Sequence, residues 1–140
     1  EKETEINISQ NSFSSSILNM KKEHLISESK SKYIRKEKIL IKKLDSFRNE
    51  ILKKYNNIYL KIDTQGYEEN VLNGATDLIK SIKGLQLEMS IHPMYEGQLL
   101  FNRLFEKIEN LDFEIWDIER TFSNPNTGKI LQIDAILFKK

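Results

Sequence analysis

From Leu44 onward the sequence switches repeatedly between a helical and a strand-like hydrophobic period, and this switching constrains the fold more than any other feature. Leu44, Phe47, Ile51, Leu52 and Tyr55 form a helical stripe that Asp45 is placed to cap and that Asn56 and Asn57 end. Ile58 to Ile62 is a short, mostly apolar run, the pattern of a strand covered on both faces. Val71, Leu72, Ala75, Leu78, Ile79 and Ile82 then lie on one broad stripe, which predicts a single helix stopped by Gly84. Leu85, Leu87 and Met89 alternate with polar residues as a second strand. A loop through His92 to Gly97 leads to a helix bearing Leu100, Phe101, Leu104, Phe105, Ile108 and Leu111. Strands from Phe113 to Ile118 and from Ile130 to Phe138 flank a turn at Asn124 to Gly128 and should pair antiparallel. Helices alternating with strands predict an α/β fold, a doubly wound, mostly parallel sheet with helices on its faces and one antiparallel strand at the end. Ligands of such sheets bind at the carboxyl ends of the strands.

Residues 1–43 are patterned weakly. Their serines suggest long connections around two short strands, Glu5 to Ile8 and Lys38 to Lys42. The chain thus reads as an N-terminal segment, 1–43, joined to an α/β unit, 44–140, within one domain. With no cysteine, disulfides, thiolate zinc sites and cysteine nucleophiles are excluded, which fits a reducing compartment and a cytoplasmic location. No apolar run approaches a bilayer span, and Glu1 to Glu5 does not resemble a targeting signal. The start at Glu1 rather than methionine fits a processed or partial chain. Lysines cluster between Lys21 and Lys43, but only Tyr33 is interleaved with them and the overall charge is +1, so nucleic acid is not an expected partner. The five glycines are too scattered for a G-x-G-x-x-G turn or a phosphate loop.

The polar residues at strand ends carry the candidate chemistry. Asp63 ends the first strong strand, and Thr64 to Glu68 turn the chain into the next helix, with Gly66 free to take a positive φ. A purely structural role is the competing expectation: Asp63 or Thr64 as helix cap, with Glu68 favouring the helix N-terminus. Glu88 near the end of the next strand would open onto the same crevice and pair with Asp63 as base or ligand. A hard cation would accept such a pair, but no third ligand accompanies it and no metal is assigned. His92 titrates in a range suited to taking a hydroxyl proton. Gln132 and Asp134 share one face of the last strand, either as half-exposed edge polarity or facing a polar partner. Tyr95 and Trp116 could line a crevice, with core packing the expectation for Trp116.

Several of these motifs together resemble one family. Leu60-Lys61-Ile62-Asp63-Thr64-Gln65-Gly66-Tyr67-Glu68 followed by Val71-Leu72-Asn73-Gly74-Ala75 is similar to the L-K-I-D-x-[EQ]-G-x-E-x-x-V-L-x-G-A signature of FkbM-type methyltransferases. Gln86 to Ser90, Pro93 to Gln98, Asp112 to Glu119 and Thr127 to Phe138 resemble further family segments in family order, as do the upstream loop Asn11 to Leu18 with its serine triplet and Leu44 to Phe47. The resemblance implies a Rossmann-like, S-adenosylmethionine-dependent methyltransferase, generally an O-methyltransferase acting on a hydroxyl of a sugar, lipid or small secondary metabolite. It implies Asp63 as proton acceptor or substrate-orienting group, with Glu68 and Glu88 as supporting or alternative acids. Asp63, Gln65 and Gly66 are the expected cofactor contacts, and Tyr95, Glu96, Gln132 and Asp134 the expected substrate contacts. The family's D-x-G-A-x-x-G cofactor turn and the ribose-binding acid have no counterpart here, so the resemblance is to the back half of the domain. His92 departs from the usual apolar residue of its loop. The alternative expectation is a partial or degenerate methyltransferase fold that is inactive and serves in protein contacts.

Overall fold

A computed structural model describes residues 1–140. The chain runs β1 (Lys2–Ser9), α1 (Lys22–Ser27), β2 (Tyr33–Ile41), α2 (Arg48–Lys54), β3 (Tyr59–Ile62), α3 (Glu68–Asn73), β4 (Gly84–Ser90), α4 (Phe101–Glu109), β5 (Phe113–Ser123) and β6 (Ile130–Lys139). Short 3₁₀ turns lie at Ser29–Ser31, Leu44–Phe47 and Leu78–Ser81. β1 and β2 are longer than expected and pair with each other as an antiparallel ribbon. The remaining strands form a mixed sheet in the order β3-β4-β6-β5. No helix is long and apolar enough to cross a membrane.

The alternation of β4 and β6 sorts the sheet into two unlike faces. Leu85, Leu87 and Met89 project to one side with Ile133, Ala135 and Leu137, and all are buried. Leu72, Leu78, Ile79, Leu104 and Ile108 cover them from the helical side, making one contiguous core with Ile62 and Phe113. Full burial of each such Leu or Ile is worth about 1.5–3 kcal/mol. The opposite side of the same two strands carries Gln86, Glu88 and Ser90 against Ile136, Asp134 and Gln132. Its carboxyl-end portion is roofed by residues 14–24, which pack Leu18 and Met20 on a small second core of Met94, Tyr95 and Leu131.

Five expectations are corrected. The last strand does not sit at the edge: β6 inserts between β4 and β5, so only β3 and β4 pair in parallel while β6 pairs antiparallel with both neighbours. The stripe from Val71 to Ile82 is not one helix. α3 stops where the Gly74 amide bonds back to Asn70 and Val71, and its carbonyl accepts from the Asp45 amide. Asp45 caps no helix of its own: its carboxylate crosses to the Leu78 amide at 2.8 Å, the Asp77 amide at 3.1 Å and the Thr76 hydroxyl at 3.0 Å. Gly84 does not end a helix but opens β4, where an added Cβ would lie 2.4 Å from the Tyr59 ring. Trp116 lies outside the core, 67% exposed on β5 with its ring 4.8 Å from that of Phe138.

Burial raises the Asp45 carboxyl, but the bonds from Leu78, Asp77 and Thr76 outweigh it and hold the group below its ordinary value. Asp45→Ala should lower stability by about 1 kcal/mol in urea unfolding at neutral pH. A depressed carboxyl stabilises above its unfolded value and loses that contribution as pH falls through its folded value, so the gap between variant and wild type should close in acid. An unshifted midpoint at neutral pH would contradict this cap.

Candidate functional site

The site is built around the turn that follows β3. Glu68, 4% exposed at the start of α3, turns its carboxylate back over this turn. One oxygen, Oε1, accepts from the Thr64 amide at 3.0 Å, the Gly66 amide at 3.0 Å and the Thr64 hydroxyl at 3.2 Å. The expected caps, Asp63 and Thr64, therefore do not cap α3; Glu68 satisfies the turn amides instead. Burial raises its pKa, against the lowering effect of these same hydrogen bonds.

Clamped in this way, Gln65 takes the left-handed conformation at φ 54° and Gly66 follows at φ 95°. A Cβ on Gly66 would lie 2.9 Å from Cβ of Tyr95, so the close approach of the turn to the Tyr95 side chain requires glycine. Every polar group on the Gln65 side chain is engaged. Its Nε2 donates to Asp63 Oδ1 at 2.8 Å and to Glu88 Oε2 at 3.0 Å, while its Oε1 accepts from the Tyr95 hydroxyl at 2.7 Å. The Ser16 hydroxyl donates to the Gln65 carbonyl at 2.7 Å, fastening the serine-triplet loop to the turn.

Glu88 lies at the centre, 8% exposed. Its Oε2 also accepts from Gln132 Nε2 at 3.0 Å, and Gln132 donates in turn to Ser90 Oγ at 3.1 Å. Burial first, then the nearby Asp63, Glu68 and Asp134 carboxylates, pushes the Glu88 carboxyl up to about 9. At neutral pH Glu88 holds its proton, and with Oε2 accepting twice, Oε1 is the oxygen left to carry it. Asp134 is 4% exposed; its Oδ2 accepts from Gln86 Nε2 at 2.6 Å and lies 3.6 Å from the Lys61 ammonium. Asp63 is the acid of this group with real solvent access, its side chain 39% exposed and 3.8 Å from the same ammonium.

Asp63, Gln65, Gly66, Glu68, Glu88, Gln132 and Asp134 are thus brought together with the Tyr95 hydroxyl. Tyr95 is buried rather than lining open space, and burial first, aided by the neighbouring acids, raises its pKa. Gln132 and Asp134 are interior residues of β6, not half-exposed edge polarity. Glu96 stands apart on the surface, where Asn19 donates to it at 3.0 Å. His92 is tied by its backbone to Leu131 and lies outside the network.

The histidine that joins the network is His24, on α1 and 3% exposed. Its Nε2 lies 3.2 Å from the Tyr95 hydroxyl, and since that hydroxyl gives its proton to Gln65, His24 donates from Nε2. Nδ1 is left as a buried lone pair without a partner. Burial lowers the pKa of this imidazole. Nothing in the weakly patterned first 43 residues singles out His24 in the sequence. The serine triplet was visible, and Ser16 is the member that reaches the turn.

The structure is thus a mixed α/β sheet with a buried carboxyl cluster near the carboxyl ends of its two parallel strands, the end at which ligands of open α/β sheets bind. The model of the methyltransferase FkbM domain matches residues 1–115, and the chain belongs to this family of methyltransferases. No curated protein and no solved structure matches it.

Gly66→Ala should cost more than about 1 kcal/mol in urea unfolding, since both the positive φ and the Tyr95 contact oppose a side chain; an unchanged midpoint would contradict the tight turn. Because the Glu88 carboxyl is raised in the folded state, its contribution to stability is complete below about 4.5 and is lost as pH rises toward about 9. Glu88→Gln should therefore gain stability relative to wild type across that window. Unfolding curves that run parallel from pH 5 to 8 would refute the buried, protonated acid.

Proposed function

We propose that the chain serves S-adenosylmethionine-dependent O-methylation of a hydroxyl on a sugar, lipid or small metabolite, with residues 44–140 as the back half of a Rossmann-like methyltransferase sheet in a cytoplasmic enzyme. The observation that carries this reading is the pairing of one solvent-accessible carboxyl group, Asp63, with a buried protonated one, Glu88, through a single Gln65 amide.

The residues at this end of β3 fit such a cofactor on chemical grounds. Asp63, Thr64 and Tyr67 line the end of an open groove, and an accessible carboxylate suits a ligand that is cationic and bears hydroxyls. Gln65 and Gly66 support this end from within, Gln65 by holding the Asp63 carboxylate and Gly66 by letting the turn approach Tyr95. When bound, S-adenosylmethionine supplies a methyl group on a sulfonium leaving group. The chain's own task is then to orient the acceptor hydroxyl and take its proton. Asp63 does this: Oδ1 is fixed by Gln65, and Oδ2, 3.8 Å from the Lys61 ammonium, takes the hydroxyl proton. Glu88 keeps its proton and adds no second negative charge beside Asp63, while Glu68 holds the turn in place.

The test is transfer of a labelled methyl group from S-adenosylmethionine to sugar, lipid and small-molecule hydroxyl acceptors by the intact enzyme. Asp63→Asn should reduce turnover by about 10²–10⁴-fold with the thermal melt unchanged. Undiminished transfer by a folded Asp63→Asn enzyme would remove Asp63 from this role.

A further inference from the structure

His24 neither lines the groove nor bonds to an acid, yet it ends the hydrogen-bonded chain that starts at Asp63 and Glu88. Helix α1 sets its ring, 3% exposed, against the rings of Tyr95 and Phe122, with centroids 5.3 and 5.1 Å away. From the two acids the chain passes through the Gln65 amide and the Tyr95 hydroxyl to His24 Nε2. Both middle members can donate and accept, so a chain of this composition has two possible directions.

In the first, His24 Nε2 donates to Tyr95, the Tyr95 hydroxyl donates to the Gln65 oxygen, and the Gln65 nitrogen donates to both acids. In the second, the Gln65 oxygen faces the Asp63 carboxylate, and the Gln65 nitrogen donates to a Tyr95 hydroxyl that donates to a bare His24 Nε2. That places the imidazole proton on Nδ1. Nδ1 is buried and no group accepts from it; the Ser27 hydroxyl, one turn along α1, is itself unpartnered. A buried N–H without an acceptor costs more than a bare lone pair, so the surroundings of Nδ1 select the first direction. A doubly protonated ring meets the same empty surroundings, in keeping with the lowered pKa that burial gives it. Without the ring N–H the selection weakens. The Ser14 carbonyl, 3.5 Å from the Tyr95 hydroxyl, is then an alternative acceptor, and a reversed Gln65 amide can donate to Tyr95 and accept from protonated Glu88.

We propose that His24 is a positioning residue: its Nε2–H, kept on that nitrogen by the unpartnered Nδ1, fixes the Gln65 amide with its nitrogen toward Asp63, so that Oδ1 stays bound and Oδ2 is presented to the acceptor hydroxyl. The effect on turnover rests on the reading of Asp63 as proton acceptor; the effect on the Gln65 amide does not.

The test joins nitrogen NMR of the full chain to turnover of the intact enzyme. In the wild type the His24 proton should be found on Nε2, and a proton on Nδ1 would overturn the proposal. The Gln65 side-chain amide should exchange about tenfold faster in His24→Phe, which keeps an aromatic ring but loses the donor, and slowly again in His24→Gln, whose amide nitrogen restores it. In methyl transfer, His24→Phe should lower kcat about tenfold, the effect of one hydrogen bond lost from Asp63, and His24→Gln should recover most of it. In a Tyr95→Phe background His24→Phe should cost nothing more. Unchanged Gln65 exchange in folded His24→Phe would overturn the positioning role, as would a His24→Gln no better than His24→Phe or a loss that adds to that of Tyr95→Phe. Altered Gln65 exchange with undiminished kcat would instead remove Asp63 from the reaction and leave the hold of His24 on Gln65 standing. Should His24→Phe fail to fold, the wild-type nitrogen spectrum and His24→Gln decide.

Discussion

The Glu68 carboxylate is the interaction on which the candidate site depends. One buried oxygen gathers two amides and a hydroxyl of the turn after β3, groups that would otherwise lie unpaired or half-paired at a strand end. Burying a carboxylate is costly, and three hydrogen bonds to a single oxygen offset that cost only while the turn keeps its shape. The turn is therefore held in a conformation that a free chain would seldom adopt, with Gln65 in the left-handed region. From there the Gln65 amide joins two acids of opposite character, and its carbonyl oxygen reaches Tyr95 and, beyond it, His24. Sequence, backbone strain and electrostatics meet in this residue.

The two faces of the β3-β4-β6-β5 sheet divide the work. The apolar face, closed by the helices, stabilises the fold, and the polar face carries the acids and amides. The N-terminal segment belongs to the second role: its serine loop bonds the turn through Ser16, and its short helix supplies His24. Residues 14–24 thus cover the Tyr95 end of the network, where Tyr95 and His24 are both buried.

Much of this was legible in the sequence because it is local or periodic. The alternation in Leu85 to Met89 and Leu131 to Ala135 located β4 and β6 and separated Glu88, Gln132 and Asp134 from the core side. The run Asp63 to Glu68 after an apolar strand marked the turn, and the family resemblance rested on the same residues. What could not be read rests on contacts between distant segments. Asp45 looks like a local cap because an acid beside an apolar stripe usually is one, yet its partners are some thirty residues on. The stripe from Val71 to Ile82 has helical spacing throughout, but that cross-chain cap and the bonds around Gly74 divide it. The insertion of β6 beside β4 is a matter of topology to which periodicity is blind, and Trp116 falls at the register shift of β5 between Ile115 and Asp117, outside the core that holds Phe113 of the same strand.

The turn clamped by Glu68 holds a neutral carboxylic acid, Glu88, beside an accessible carboxylate, Asp63. The most direct measurement is a carbon NMR titration of the Glu88 side-chain carboxyl in the folded protein. A single proton should be lost near pH 9, with the fold intact through the transition. A carboxyl carbon that titrates near 4.5, the ordinary value for glutamate, would contradict it.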